Sequence, residues 1–337
     1  MKLNWRGALG IAISVLLLWW ALRGVELAQV AQVLRQSNVG LFLLSTLVAT
    51  AIYPLRALRW RYILWPVKER LPFGPLWRAT AIGMMVNNVI PARAGEIARA
   101  FAVSREEPVV RFPAAIASLA IDRVLDAILI IALLIISMLD PAFPRDTVIA
   151  GQPIGRYVYV ATAIAAAALV MLFLLAVFPQ QFVSAFERIV SKVAPHFVER
   201  LSRLLHSFAD GLAVLRRPTL LLRVLFWTTV HWLISGAAFW IGMKAVGINA
   251  PYSAALFVQS LIAIGVAAPA APGFFGIFEF FGTEGLAIYG VSRDLAVSWA
   301  IGFHLLSFIP ITVMGAIYFV RMGLSFREVG RPAAQET

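Results

Sequence analysis

Cysteine is absent from all 337 residues, which excludes disulfides, thiolate metal sites and thiol nucleophiles. Histidine is scarce, with four residues. His231 and His304 fall inside apolar runs and read as neutral, hydrogen-bonded core residues, while His196 and His206 lie in a basic segment and suggest no chemistry. No zinc-protease motif, phosphate-binding loop or nucleophile elbow occurs, and no residue set calls for a cofactor. Charge is scarce too: 14% of the residues are Asp, Glu, Lys or Arg, against about a quarter in soluble domains. The balance is 61% hydrophobic with a mean hydropathy of +0.84. A chain so apolar is read as an all-α, multi-pass membrane protein. The net charge of +12 is no sign of nucleic acid, because the basic residues sit between hydrophobic spans.

Six full spans are expected, at about 7–22, 39–55, Phe112–Leu139, 157–178, 224–243 and 295–320. The first looks like a signal peptide, but Trp19-Trp20-Ala21-Leu22 offers no small-residue cleavage site, so it is expected to be retained. Two further segments are interrupted. Residues 76–90, which include Asn87 and Asn88, and 97–103, which include Arg99, flank Pro91, Arg93, Gly95 and Glu96. At about 1.5 Å per residue the first run reaches roughly 22 Å, short of a hydrocarbon core roughly 30 Å thick. Proline lacks the amide hydrogen that would continue the helix, and glycine opens backbone angles closed to other residues. The second interruption, Pro269-Ala270-Ala271-Pro272-Gly273-Phe274-Phe275-Gly276, separates 253–268 from 277–289, with Glu279 just beyond it. Both segments are expected to be short helical hairpins, the first re-entrant from the cytoplasm and the second either re-entrant from outside or fully spanning. Non-helical backbone at membrane depth survives only where protein buries it or a wet cavity borders it.

Charge distribution orients the chain. With hairpins that return to their own side, twenty of the 29 Lys and Arg residues lie on the cytoplasmic face, six outside and three within the membrane. That is the positive-inside pattern of a cytoplasmic membrane protein with both termini inside. The whole chain is expected to be one integral membrane domain, with a first hairpin repeat at 39–139 and an inverted second one at 224–320. Paired, Gly/Pro-interrupted segments in two halves point to a transporter's midplane site. Between them, residues 180–217 show apolar positions at helical spacing with basic residues on other faces, which reads as an amphipathic cytoplasmic segment or a plain connector.

The motifs Arg56-Ala57-Leu58-Arg59-Trp60, Asn87 with Pro91-Ala92-Arg93-Ala94-Gly95-Glu96 and Arg99, Asp122-Arg123, and Pro272-Gly273 with Gly276 and Glu279 run in this order along the chain. In that order they resemble the flippase-like transmembrane region of lysylphosphatidylglycerol synthases, in a form without the soluble synthase domain. The resemblance implies a module that moves lipid across the bilayer, and it does not support synthase activity.

Moving an anionic headgroup through hydrocarbon needs cations matched to phosphate, and the arginine fork pairs phosphate with two parallel hydrogen bonds. The candidates for contact with such a lipid are Arg93, Arg99 and Arg123, with Glu96, Asp122 and Glu279 holding them or exchanging protons. Asn87 and Asn88 are candidates to satisfy backbone groups freed at the break. Arg56, Arg59 and Trp60 read as a headgroup anchor at a helix end. Against this stands a structural reading, in which the same charges form buried pairs that pin the hairpins. Three other functions stay open: an intramembrane enzyme on a lipid-linked substrate, a small-anion or proton-coupled transporter, and a partner subunit.

Overall fold

The computed structural model describes residues 5–24, 26–90, 94–149, 152–153, 218–267 and 271–325, with isolated helical positions between 160 and 184. The fourth expected span and the 180–217 segment therefore lie almost wholly outside the described residues, as do Pro91 and Arg93. The described chain is built of helices: α1 (Trp5–Leu22), α2 (Leu27–Gln36), α3 (Val39–Ile63), α4 (Phe73–Val89), α5 (Gly95–Glu106), α6 (Phe112–Leu139), α7 (Pro218–Ala245), α8 (Tyr252–Gly265), α9 (Ile277–Ile288) and α10 (Arg293–Arg321). A two-residue antiparallel pairing, β1 (Val148–Ile149) with β2 (Gln152–Pro153), is the exception.

Three helices, α3, α7 and α10, are long and apolar enough to cross a membrane. Their outward faces carry bare apolar side chains, among them Leu47 at 67% exposure and Val320 at 76%. Such a surface suits hydrocarbon and not water. Helix α6 has 28 residues, but Asp122, Arg123 and Asp126 fall in its middle. Helix α3 runs past the expected end at residue 55 to Ile63, so Arg56, Arg59 and Arg61 sit on the helix and not in the loop after it. Its start is set by Asn38, whose side-chain oxygen accepts from the Leu41 amide at 3.0 Å. Helix α2 is short and amphipathic and lies between the first two expected spans.

Helices α4 and α5 form the first hairpin. Ile90 takes the extended conformation (φ −112°, ψ 133°) that a following proline imposes, and α4 ends there. The two helices then pack antiparallel, with Gly83 against Gly95 and Arg99. A Cβ on Gly95 would lie 2.1 Å from the Gly83 carbonyl oxygen and 2.4 Å from the Asn87 side chain. Gly95→Ala should therefore force the helices apart. Overpacking of this kind costs about 1–3 kcal/mol, and thermal unfolding in detergent should show a lowered midpoint with no change in helix content.

Helices α8 and α9 form the second hairpin, packed antiparallel through Gly265 against Phe281 and Gly285 against Val258. A single 3-10 turn, Pro272–Phe274, lies between them. Each hairpin has its own apolar core. One is built around Trp60, Leu76, Ile82, Val103 and Leu119, the other around Phe239, Met243, Phe257, Trp299 and Phe303. Helix α4 touches both α10 and the 3-10 turn, so the first hairpin abuts the break of the second.

Candidate functional site

Burial of an arginine is the fact from which the site is built. Arg59 is 0% exposed, and an unpaired charge there would cost far more than helix packing returns. It is paired twice. Its Nη2 forms an ion pair with Asp122, and its Nη1 reaches Asp126 Oδ1 at 2.6 Å. Nη1 also donates to the Thr228 hydroxyl at 3.3 Å. Asp122 and Asp126 lie one turn apart on α6, so both face the same neighbour.

The two carboxylates serve other cations as well. Arg99 Nη1 lies 3.5 Å from Asp122 Oδ2, and Arg123 Nη2 lies 3.3 Å from Asp122 and 3.4 Å from Asp126. The Trp232 indole donates to Asp126 Oδ1 at 2.8 Å. Arg99 also sits over the Trp60 ring, 4.0 Å from its centroid, while the Trp60 indole donates to Ser118 at 2.8 Å. The expectation that Arg59 and Trp60 meet lipid headgroups is thus corrected. Both side chains are fully buried, because α3 continues inward past residue 55 and turns them toward α6.

A cavity of about 480 Å³ opens beside this cluster. One side is polar, lined by Arg56, Asn87, Glu96, Arg99, Arg123 and Asp126. The facing wall is mostly apolar and comes from the second hairpin and its break, including Ile262, Ile264, Val266, Phe274 and Phe278. Among the described residues Arg56 has no carboxylate partner; its Nη1 makes a 3.9 Å contact with the Met84 sulfur. Buried and without hydrogen-bond partners are Arg56 Nε, Arg99 Nε and Nη2, Arg123 Nε, Glu96 Oε2 and Gln259 Oε1. Among the described residues four guanidinium groups (Arg56, Arg59, Arg99, Arg123) stand with three carboxylates (Glu96, Asp122, Asp126), a net positive set. Cations braced by buried carboxylates, on residues that line a cavity, are preorganised for an anion.

The other candidate residues divide. Asn87 Oδ1 accepts from the Gly95 amide at 2.8 Å, meeting a backbone group freed at the break. Asn88 instead donates to the Thr312 hydroxyl at 2.6 Å and ties α4 to α10. Gly273 and Gly276 adopt φ of +67° and +87°, which shapes the second break behind Pro272. Glu279 does not join the arginines. Its Oε2 accepts from the Gly276 amide at 2.7 Å, and its Oε1 lies 2.6 Å from His304 Nδ1. Sequence reasoning missed Asp126, Thr228, Trp232, Gln259 and the role of His304. Asp126 carried a usable signal, a second carboxylate one helical turn after Asp122 in an apolar run. The others sit on helices whose inward face only packing defines.

With this geometry in hand, comparison with known proteins is informative. Residues 7–315 match the family described as the lysylphosphatidylglycerol synthase TM region. The chain belongs to that family. It is a multi-pass, all-α membrane protein of the lysylphosphatidylglycerol synthase transmembrane type, and the arginine cluster and both hairpins fall inside the matched region. A curated relative, glycosyltransferase AglD of Haloferax volcanii, is 32% identical over 124 residues, 37% of this chain. The chain spans about 20% of the length of that relative, a partial correspondence.

Proposed function

We propose that this chain moves an anionic or amphipathic lipid across the cytoplasmic membrane, taking the headgroup into the arginine-lined cavity. The observation that carries the reading is the mixed lining of the cavity: Arg56, Arg99 and Arg123 together with apolar side chains of the second hairpin and its break. A phospholipid has the same division, a phosphate that wants a cation and chains that want hydrocarbon. The family name adds support, since it ties the fold to a phosphatidylglycerol lipid. In this reading Arg56, Arg99, Arg123 and Arg93 handle the phosphate, Glu96 sits beside it, and Asp122 and Asp126 hold the cations from behind. The two hairpins act as re-entrant elements of an inverted repeat, 39–139 and 224–320, each gating one side of the shared cavity.

The test is a lipid-movement assay in proteoliposomes with fluorescent phosphatidylglycerol and, in parallel, phosphatidylcholine. Faster crossing of the anionic lipid than in protein-free vesicles is the expected result. Equal rates with and without protein, for both lipids, would reject the reading. The match to a glycosyltransferase favours a second reading, an intramembrane enzyme on a lipid-linked substrate. Product formed from such a substrate by the purified protein would decide for it.

Orientation follows from the positive-inside count. Both termini and residues 180–217 are proposed to face the cytoplasm. Because the chain has no cysteine, a single one placed at residue 200 reports directly. It should resist an impermeant thiol reagent added to intact cells and react once the membrane is opened. Labelling from outside would invert the topology.

A further inference from the structure

The second hairpin break holds an ionisable pair that headgroup binding leaves unused. His304 on α10 lies with Nδ1 at 2.6 Å from Glu279 Oε1 and Nε2 at 2.9 Å from the Gly273 carbonyl oxygen. Glu279 is 2% exposed and His304 6%. We propose that Glu279 and His304 form a proton-binding latch on this break: with its proton the latch clamps Gly273, and loss of the proton releases the break beside the cavity.

The argument is one of counting hydrogens. A backbone carbonyl only accepts, so His304 Nε2 must carry a hydrogen to bond Gly273. The Nδ1–Glu279 contact needs a second hydrogen, on either the imidazole or the carboxyl group. The observed geometry therefore holds one proton more than a neutral imidazole beside a carboxylate. When that proton leaves to water, a single N–H remains for two acceptors. The carboxylate is the stronger acceptor, so the hydrogen stays on the Glu279 side and the Gly273 bond is lost.

The break is built to respond. Gly273, Phe274 and Gly276 all have positive φ, at +67°, +62° and +87°. For phenylalanine that conformation is sparsely populated and persists only where the surroundings enforce it. His304 is a large part of those surroundings. The rings of Phe275 and Phe278 lie against its imidazole, with centroids at 4.6 and 4.3 Å. Phe274 and Phe278 also line the cavity, so movement of the break changes the cavity wall.

None of the other described ionisable groups on the packed elements is bonded to Glu279 or His304. Glu284 of α9 pairs with Arg293 of α10 at 3.4 Å, and Arg78 of α4 pairs with Glu106. Helix α8 carries no charged residue. On α10 Asp294 and Arg321 lie at the two ends, and Arg35 of α2 is in its last turn. On α3, Arg59 pairs with Asp122 and Asp126, Arg61 lies over the Tyr62 ring and Arg56 lines the cavity with Glu96 of α5, while His231 of α7 is buried.

The latch is independent of what the cavity carries, and its test measures no transport. In the full-length chain in nanodiscs, cysteines at Ala127 and Ala267, both on the cavity wall, are spin-labelled at one pH. Their separation is then measured from about pH 5 to pH 9, a range that brackets histidine titration. The wild-type background should shift from one distance to another as pH rises. Glu279→Gln should hold the low-pH distance throughout, because its amide donates to Nδ1 without a proton to lose. His304→Phe should show the high-pH distance throughout. A wild-type distance that ignores pH, or a Glu279→Gln variant that follows the wild-type titration, overturns the proposal. Either result leaves the lipid reading untouched, and failure of the liposome assay leaves the latch untouched.

Discussion

Arg59→Leu is expected to yield a protein that loses its fold in mild detergent, before any question of activity arises. Leucine fits the apolar core around α3, so the packing loss is small. The loss that matters is electrostatic. Asp122 and Asp126 are 0% and 3% exposed, and Arg59 is the cation that contacts both at closest range. Arg99 and Arg123 stand farther off, at 3.3 to 3.5 Å. Removing one partner of a buried pair strands the other, at about 3–5 kcal/mol. That is a large share of the total stability of a typical domain, about 5–15 kcal/mol. A thermal melt by scattering or tryptophan fluorescence checks it. The double variant Arg59→Leu with Asp122→Asn should recover part of the loss, since one stranded charge is gone. A single variant as stable as the wild type would show that Arg99 and Arg123 suffice as counterions.

Arg56→Gln should do the opposite: leave the fold intact and remove transport. Arg56 lies one turn before Arg59 on α3, yet among the described residues it has no carboxylate partner, and it lines the cavity wall. No described carboxylate is hydrogen-bonded to it, and Asp122 and Asp126 keep Arg59 at closest range, so neutralising Arg56 leaves their direct pairing in place. What it offers an anionic headgroup is a charge-assisted hydrogen bond, worth about 1.5–3 kcal/mol. At about 1.4 kcal/mol per factor of ten, the rate of anionic-lipid movement should fall roughly tenfold to a hundredfold. The melting temperature should stay within error of the wild type. Arg56→Lys keeps the charge but not the planar fork, and should fall between the two. Unchanged movement in Arg56→Gln would remove the cavity wall from the proposed route. The two arginines thus separate the structural reading of the charges from the functional one, with the residues one turn apart.

Much of the architecture was legible in the residues alone, because its determinants are local. Low charge and high hydropathy set the membrane class. Proline and glycine mark the two hairpin breaks, so the end of α4 could be placed from Pro91 and that of α8 approximately from the stretch that begins at Pro269, although Pro54 and Pro310 lie inside α3 and α10. The Phe112–Leu139 run is helix α6 to the residue, being bounded by a proline near its start and a polar turn after it. Local rules failed where a helix continues through polar residues: α3 passes its basic cluster and ends at Ile63, since tertiary pairing neutralises Arg59 and makes its place in a helix tolerable. The partners were beyond reach of any pattern. Arg59 meets Asp126 across 67 positions and Thr228 across 169, and His304 meets Glu279 and Gly273 across the second break. Hydropathy marks which segments enter the membrane, but it does not say which face of a helix turns inward. That choice comes from packing among helices far apart in sequence, and here it turned apparent surface arginines into the wall of a buried, positively charged cavity.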